Sequence, residues 1–119
     1  MRRIFKTISA VFAALAVSGT LGVIGSAPAQ AYVKSACDGA ICLAADIVGN
    51  TVKNATASTN DGAPAHLNIY VAGDSWWSPG NVREFRQEIN RAYDFGTWVC
   101  ADGWINGHLI GRPCVKVGN

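Results

Sequence analysis

All four cysteines of this 119-residue chain, Cys37, Cys42, Cys100 and Cys114, fall after residue 36, as two close pairs. Nothing else in the sequence narrows the possible folds as much. An even number of cysteines in a short exported chain reads as two disulfides. Zinc would ask for C-x-x-C spacing or histidine ligands, whereas these cysteines are separated by four and by thirteen residues, with no histidine beside either pair. A domain this small buries only a little over ~60% of its unfolded surface. Ordering the chain opposes folding by about 1.5 kcal/mol per residue. Closing a loop of about 15 residues, as a Cys100–Cys114 bridge would, contributes roughly 3 kcal/mol in the chain-entropy model. Cross-links are therefore expected to form part of the folding free energy.

Export is read from the start of the chain. Arg2, Arg3 and Lys6 precede an apolar run over residues 4–24, and Ser26-Ala27-Pro28-Ala29-Gln30-Ala31 then places small residues at the two positions a signal peptidase reads. An uncleaved membrane anchor would have no use for such a site. A lipid anchor is disfavoured because Lys34-Ser35-Ala36 precedes Cys37, where a lipoprotein signal needs an apolar residue three before the cysteine. The reading divides the chain into a signal peptide, residues 1–31, and one domain, residues 32–119, secreted and monomeric. Charge then bears on partners. Of ten Lys plus Arg, three lie in the leader, so seven cations face eight carboxylates beyond it. That balance removes the basic character a nucleic-acid or acidic-membrane partner would require.

Period-2 patterning dominates the rest. Ile41, Leu43, Ala45 and Ile47 would share one face of a half-buried strand, and Gly49-Asn50 supplies a tight turn. Thr51–Thr59 reads as a polar strand suited to a solvated face or an edge, with Lys53 opposing edge pairing. Thr59–Pro64 is a loop by composition, and His66–Val71 alternates with Leu67, Ile69 and Val71 inward. Gly73–Asn81 reads as a long turn-rich loop. Val82–Tyr93 fits either period: Val82, Phe85, Ile89 and Ala92 share a helical face, with Asn81 and Glu84 resembling a capping box, while Phe85, Gln87 and Ile89 would share a strand face. The local pattern leans slightly to the helix.

Asn106-Gly107 between two apolar runs is a strong hairpin signal. With those residues as the turn, Cys100 and Cys114 fall one residue out of register. A single bulge, for which Gly103 or Gly111 is suited, would bring them opposite each other. The hairpin thus argues for Cys100–Cys114 and, by elimination, Cys37–Cys42. Cys42–Cys100 with Cys37–Cys114 is the competing scheme. Close-spaced strands with Gly/Asn turns imply an all-β antiparallel sandwich or barrel.

Two resemblances add to this. Asp94-Phe95-Gly96-Thr97-Trp98-Val99-Cys100 resembles the Asp-x-Gly-x-Tyr-x-Cys run of immunoglobulin domains, with Trp98 in the tyrosine's place. The tryptophan expected after the first cysteine is missing, with Asn54 and Ala55 standing there. The likeness supports a sandwich corner only. More broadly, Cys37–Cys42, the strand Ile41–Val48, Gly96-Thr97-Trp98-Val99-Cys100 and Gly111-Arg112-Pro113-Cys114 are similar to small secreted two-disulfide proteins of actinobacteria such as Streptomyces. That resemblance implies a compartment and an all-β fold, and so favours a strand over Val82–Tyr93. It carries no assigned activity.

Catalytic constellations are lacking. His66 and His108 are the only imidazoles and read as exposed sheet residues. The sequence holds no Gly-x-Ser-x-Gly, no His-Glu-x-x-His and no phosphate-cradling glycine loop. No metal and no cofactor is expected. Arg83, Arg86 and Arg91 alternate with Glu84, Glu88 and Asp94, a self-compensating surface. The four tryptophans, Trp76, Trp77, Trp98 and Trp104, lie within 29 residues. Adjacent Trp76 and Trp77 cannot both point inward from an extended strand; an exposed indole would serve a sugar ring or a protein partner, and the alternative is that both fold under the loop as a satellite core. Trp98 and Trp104 read as core. The expected function is a non-catalytic extracellular binding module using Trp76, Trp77, Asp74 and Asn81, for a protein or a carbohydrate. The alternatives are an inhibitor of a secreted hydrolase, presenting Gly73–Asn81 or the Asn106–Gly107 tip, and a small antimicrobial protein.

Overall fold

Two-residue turns set the architecture. Val48 pairs with Thr51 across Gly49-Asn50, and Ile105 pairs with His108 across Asn106-Gly107. Gly49, Asn106 and Gly107 sit at positive φ, the backbone region that glycine and asparagine tolerate best. The computed structural model describes residues 31–118. These form nine strands and, among the described residues, no helix: β1 (Ala31–Asp38), β2 (Ile41–Val48), β3 (Thr51–Thr59), β4 (Ala65–Val71), β5 (Asp74–Val82), β6 (Glu84–Ala92), β7 (Trp98–Ile105), β8 (His108–Gly111) and β9 (Cys114–Lys116). The expected signal peptide falls, Ala31 apart, outside the described residues.

Every strand pair is antiparallel. One sheet runs β1-β2-β3-β6 and the other β5-β4-β7-β8, with β9 beside β7. The chain crosses between them over residues 60–64, returns at Arg83, and crosses again over residues 93–97. The last crossing is the expected corner: Gly96 adopts φ +93°, and the Thr97 N–H and hydroxyl both donate to the Asp94 carbonyl. The facing surfaces bury Ile41, Leu43 and Ile47 against Leu67, Ile69, Val71 and Val99, with Val52, Ala55, Ala57, Ile89, Val115 and Val117 completing the core. The protein is an antiparallel β-sandwich carrying two disulfides.

Both bridges are cross-strand. Cys37 pairs opposite Cys42 in the β1–β2 hairpin, and Cys100 opposite Cys114 in β7 and β9, with Cα–Cα separations of 4.0 and 4.1 Å. The anticipated bulge lies between Gly103 and Trp104, where the register moves by one residue. Each bridge joins neighbouring strands of one sheet. The alternative pairing across the core, and with it the inter-sheet disulfide of immunoglobulin domains, is absent.

Two readings of the sequence are corrected, one open choice is decided and one strand is added. Gly73–Asn81 is not a loop: a turn at Ala72-Gly73 leads into β5. Its Pro79 and Gly80 sit in a bulge opposite Leu67, where the Ser78 hydroxyl accepts the Leu67 N–H (3.0 Å) and donates to the Gly80 carbonyl. The hydroxyl stands in for the ladder carbonyl that the bulge carries away from Leu67. Thr51–Thr59 lies inside its sheet, not at an edge, because β6 covers it and Val52, Ala55 and Ala57 suffice for its inner face. Over Val82–Tyr93 the strand alternative holds against the local lean to a helix: Phe85, Gln87 and Ile89 of β6 turn inward and the charged residues outward. β1, which composition had not singled out, turns Tyr32, Lys34 and Ala36 towards the interior side.

At the β5–β6 edge the sheets are clamped by charge. Asp74 accepts from Arg91 (2.7 Å) and from the Tyr93 hydroxyl (2.9 Å), both on Oδ2. Arg91 foremost, then Tyr93, holds the Asp74 carboxyl below its ordinary range, while burial and the Asp74 contact push the Tyr93 hydroxyl up. A carboxyl whose pKa is lower folded than unfolded contributes stability that is complete above the ordinary aspartate range and is lost as pH falls through the depressed value. Thermal midpoints should therefore drop on acidification through that window, and Asp74→Asn should flatten the drop. An unchanged acid slope in the variant would remove this clamp from the account.

Candidate functional site

Alternation along β4, β5 and β7 decides which side chains leave the core. In β7 the inward positions are Val99, Ala101 and Gly103, and a Cβ on Gly103 would come within 2.3 Å of the Ile41 side chain. No indole fits there. Trp98, Cys100, Asp102 and Trp104 therefore share the outer face, which corrects the reading of Trp98 and Trp104 as core: Trp98 is 53% exposed and Trp104 half-buried. Asp102 had carried the signal, since a carboxylate on the same parity marks the solvent side.

Register brings further groups alongside. Asn68 lies between Trp77 and Asp102, and His66 between Asn81 and Trp104, which in turn faces Leu109. Trp77 is 49% exposed, with the His66 ring 4.7 Å from its own, tilted by 41°. His66 Nε2 lies 3.1 Å from the Ser78 carbonyl. A carbonyl can only accept, so Nε2 carries the proton. From Trp77 to Trp104 is two strand spacings across and one two-residue step along, about 12 Å.

Polar groups form a fixed floor between the aromatics. Asp102 is only 4% exposed although it points away from the core. Its Oδ1 accepts the Trp104 indole N–H (3.0 Å) and its Oδ2 accepts from the Arg112 guanidinium (3.3 Å). Asn68, also buried, accepts the Ser75 hydroxyl at 2.9 Å. Lys116 reaches over Trp98, its ammonium 4.8 Å from the ring centroid.

The four residues singled out from sequence are divided by this geometry. Trp77 and Asn81 stand on the outer face; Trp76 packs against the core and Asp74 belongs to the edge clamp with Arg91 and Tyr93. The parity argument for the Trp76-Trp77 pair holds. His66, Asn68, Tyr70, Asp102 and Arg112 join Trp77 only through strand pairing, which sequence spacing does not display. His108 is exposed beside its turn.

Elsewhere, the outer side of the first sheet holds a shallow depression of about 170 Å³ over Ala44, walled by Val33, Asp46, Asn54, Thr56 and Arg86. Among the described residues no group of three or more His, Cys, Asp or Glu is placed to hold a metal, and no cysteine is free. No helix among them is long and apolar enough to cross a membrane. Fold and site together define a two-disulfide β-sandwich with one aromatic sheet face. No protein-family model matches this chain, and no curated protein or solved structure matches it either.

Proposed function

We propose that the protein is an exported, non-catalytic binding module that takes a saccharide chain on the outer face of the β5-β4-β7-β8 sheet. The observation that carries this reading is Trp77, half exposed on a paired strand, about 12 Å from Trp104 with buried Asn68 and Asp102 between them. An indole offers an apolar plane with a polar edge, which suits the C–H face of a pyranose, while neighbouring polar groups meet its hydroxyls. Strand pairing and the Cys100–Cys114 bridge hold the platform in advance, so little conformational freedom is lost on binding. Export is supported by the two cystines, which persist in oxidising compartments, and by the leader motif. Inhibition of a secreted hydrolase through Gly73–Asn81 loses its basis, because that segment is a strand in a ladder.

Affinity electrophoresis through gels containing soluble chitosan, xylan, mixed-linkage glucan or polygalacturonate tests the reading. At least one polymer should retard the native protein, with a shift in tryptophan emission. Trp77→Ala should weaken retention by roughly tenfold or more, as for an interface anchor. Full mobility in every gel, or retention indifferent to Trp77→Ala, would overturn the assignment.

A further inference from the structure

We infer that the saccharide bound on the aromatic face is anionic, carrying carboxylate or another acidic group at intervals; this rests on the saccharide reading above. The outer positions of β4, β5, β7 and β9, with Arg112 between β8 and β9, include three formally charged side chains: Asp102, Arg112 and Lys116. The one carboxylate is not offered to solvent. Its side chain is 5% exposed, and both oxygens are engaged, by Trp104 and by Arg112. The two cations are offered: the Arg112 side chain is 46% exposed and Lys116 is exposed. A ligand settling on this face therefore meets positive charge beside Trp104 and Trp98, from Arg112 next to the Asp102–Trp104 pair and from Lys116 over Trp98.

The bias is local. Residues 32–119 hold one more carboxylate than cations, and none of the other seven carboxylates occupies an outer position of these strands. Asp46, Glu84 and Glu88 project from the first sheet, Glu88 paired with Arg86; Asp74 is held by Arg91; Asp38 accepts the backbone N–H of Arg112. Spacing points the same way. Lys116 lies opposite Trp98, and Arg112 reaches Asp102, four residues further along β7. The two cations are thus about 13 Å apart along the strand direction, which suits acidic groups repeating along a polymer. Arg112 can engage a carboxylate through two N–H groups, Lys116 as a point charge.

The test keeps the sugar backbone constant and removes only its charge. Gels containing polygalacturonate or its fully methyl-esterified form are run with the native protein, Lys116→Gln, Arg112→Gln and Trp77→Ala. Retention by the acidic polymer should exceed that by the ester by roughly tenfold, the order expected for two solvent-exposed charge contacts. The preference should collapse at about 1 M NaCl, where screening acts over ~3 Å. Lys116→Gln should lower retention by polygalacturonate and so reduce the preference for the acidic polymer. It touches no buried group, so it reads the charge even if Arg112→Gln loosens the Asp102 cluster. Equal retention by both polymers overturns the anionic ligand and leaves the saccharide reading standing. Retention by polygalacturonate that survives Trp77→Ala signals a general polyanion contact and overturns both.

Discussion

Gly111→Val should leave the protein without a cooperative native fold, and Gly111→Ala should lower its stability by about 3 kcal/mol, the upper range for overpacking a close-packed interior. A Cβ at Gly111 would lie 2.1 Å from the Asp38 carbonyl oxygen and 3.0 Å from Ile41 Cβ, a residue with no exposure. Backbone, not a flexible side chain, stands in the way. Nor can the Asp38 backbone easily withdraw. The tip of the β1–β2 hairpin is pinned by the Ala40 N–H on the Ile110 carbonyl (3.0 Å), by the Arg112 N–H on the Asp38 carboxylate (2.8 Å) and by the adjoining cystine. Gly39 is confined in the same seam, with φ +56° and its own Cβ direction aimed at the Ile110 carbonyl. Urea titration followed by circular dichroism provides the measurement. Gly80→Ala is the control, since a Cβ there meets nothing within 4 Å. A Gly111→Ala midpoint indistinguishable from the Gly80→Ala midpoint would show that the seam yields.

The second large effect separates the two cystines. In the chain-entropy account, removing Cys100–Cys114 by paired alanine substitution should cost about 3 kcal/mol, and removing Cys37–Cys42 about 2 kcal/mol, because the first closes the longer loop. Position widens the gap. Cys100–Cys114 ties the three-residue strand β9 to β7 and so secures Val115 and the adjacent Val117 in the core. Cys37–Cys42 staples a hairpin already paired along its length. Denaturant midpoints of the two double variants, each compared with the parent, give the order directly. A larger loss from the Cys37/Cys42 pair would mean that the hairpin tip, not the β9 strand, is the weaker element. The Cys100/Cys114 variant should also weaken saccharide retention, since β9 carries Lys116.

The sequence made the last hairpin readable to the residue. Asn106-Gly107 set the turn, the cysteines exposed a one-residue mismatch, and the adjacent glycines marked where a bulge could absorb it. β2 was equally plain, because its apolar residues alternate without interruption. β5 was hidden: Ser78, Pro79, Gly80 and Asn81 are turn formers, and only the hydroxyl substitution at Ser78 lets the strand continue past them. β6 satisfied both helical and extended periods, and the competition was settled by tertiary pairing with β3, which no local window contains. β3 looked like an edge because alanines register weakly as core, yet Ala55 and Ala57 are what allow the opposing sheet to approach. For the site, parity showed only that Trp76 and Trp77 face opposite sides, and the pairing of β5 with β4 made Trp77 the outward one. Trp98 and Trp104 were misassigned because tryptophan is so often buried, although Asp102 between them gave the side away. His66, Asn68 and Arg112 could not be joined to them before the strand order was known, because cross-strand neighbours share no spacing in the chain.

Tyr32 and Lys34 hold the far end of the domain as well as the near one. The Tyr32 hydroxyl accepts the Gly118 N–H at 3.1 Å, and the Lys34 ammonium donates to the carbonyls of Lys116 and Gly118. Whatever is joined upstream of residue 31 and downstream of residue 118 must therefore depart from adjacent points at one pole of the molecule. A short peptide could tie those points into a ring with the chain reopened at another turn, so the order in which the strands are synthesised is separable from the architecture they build.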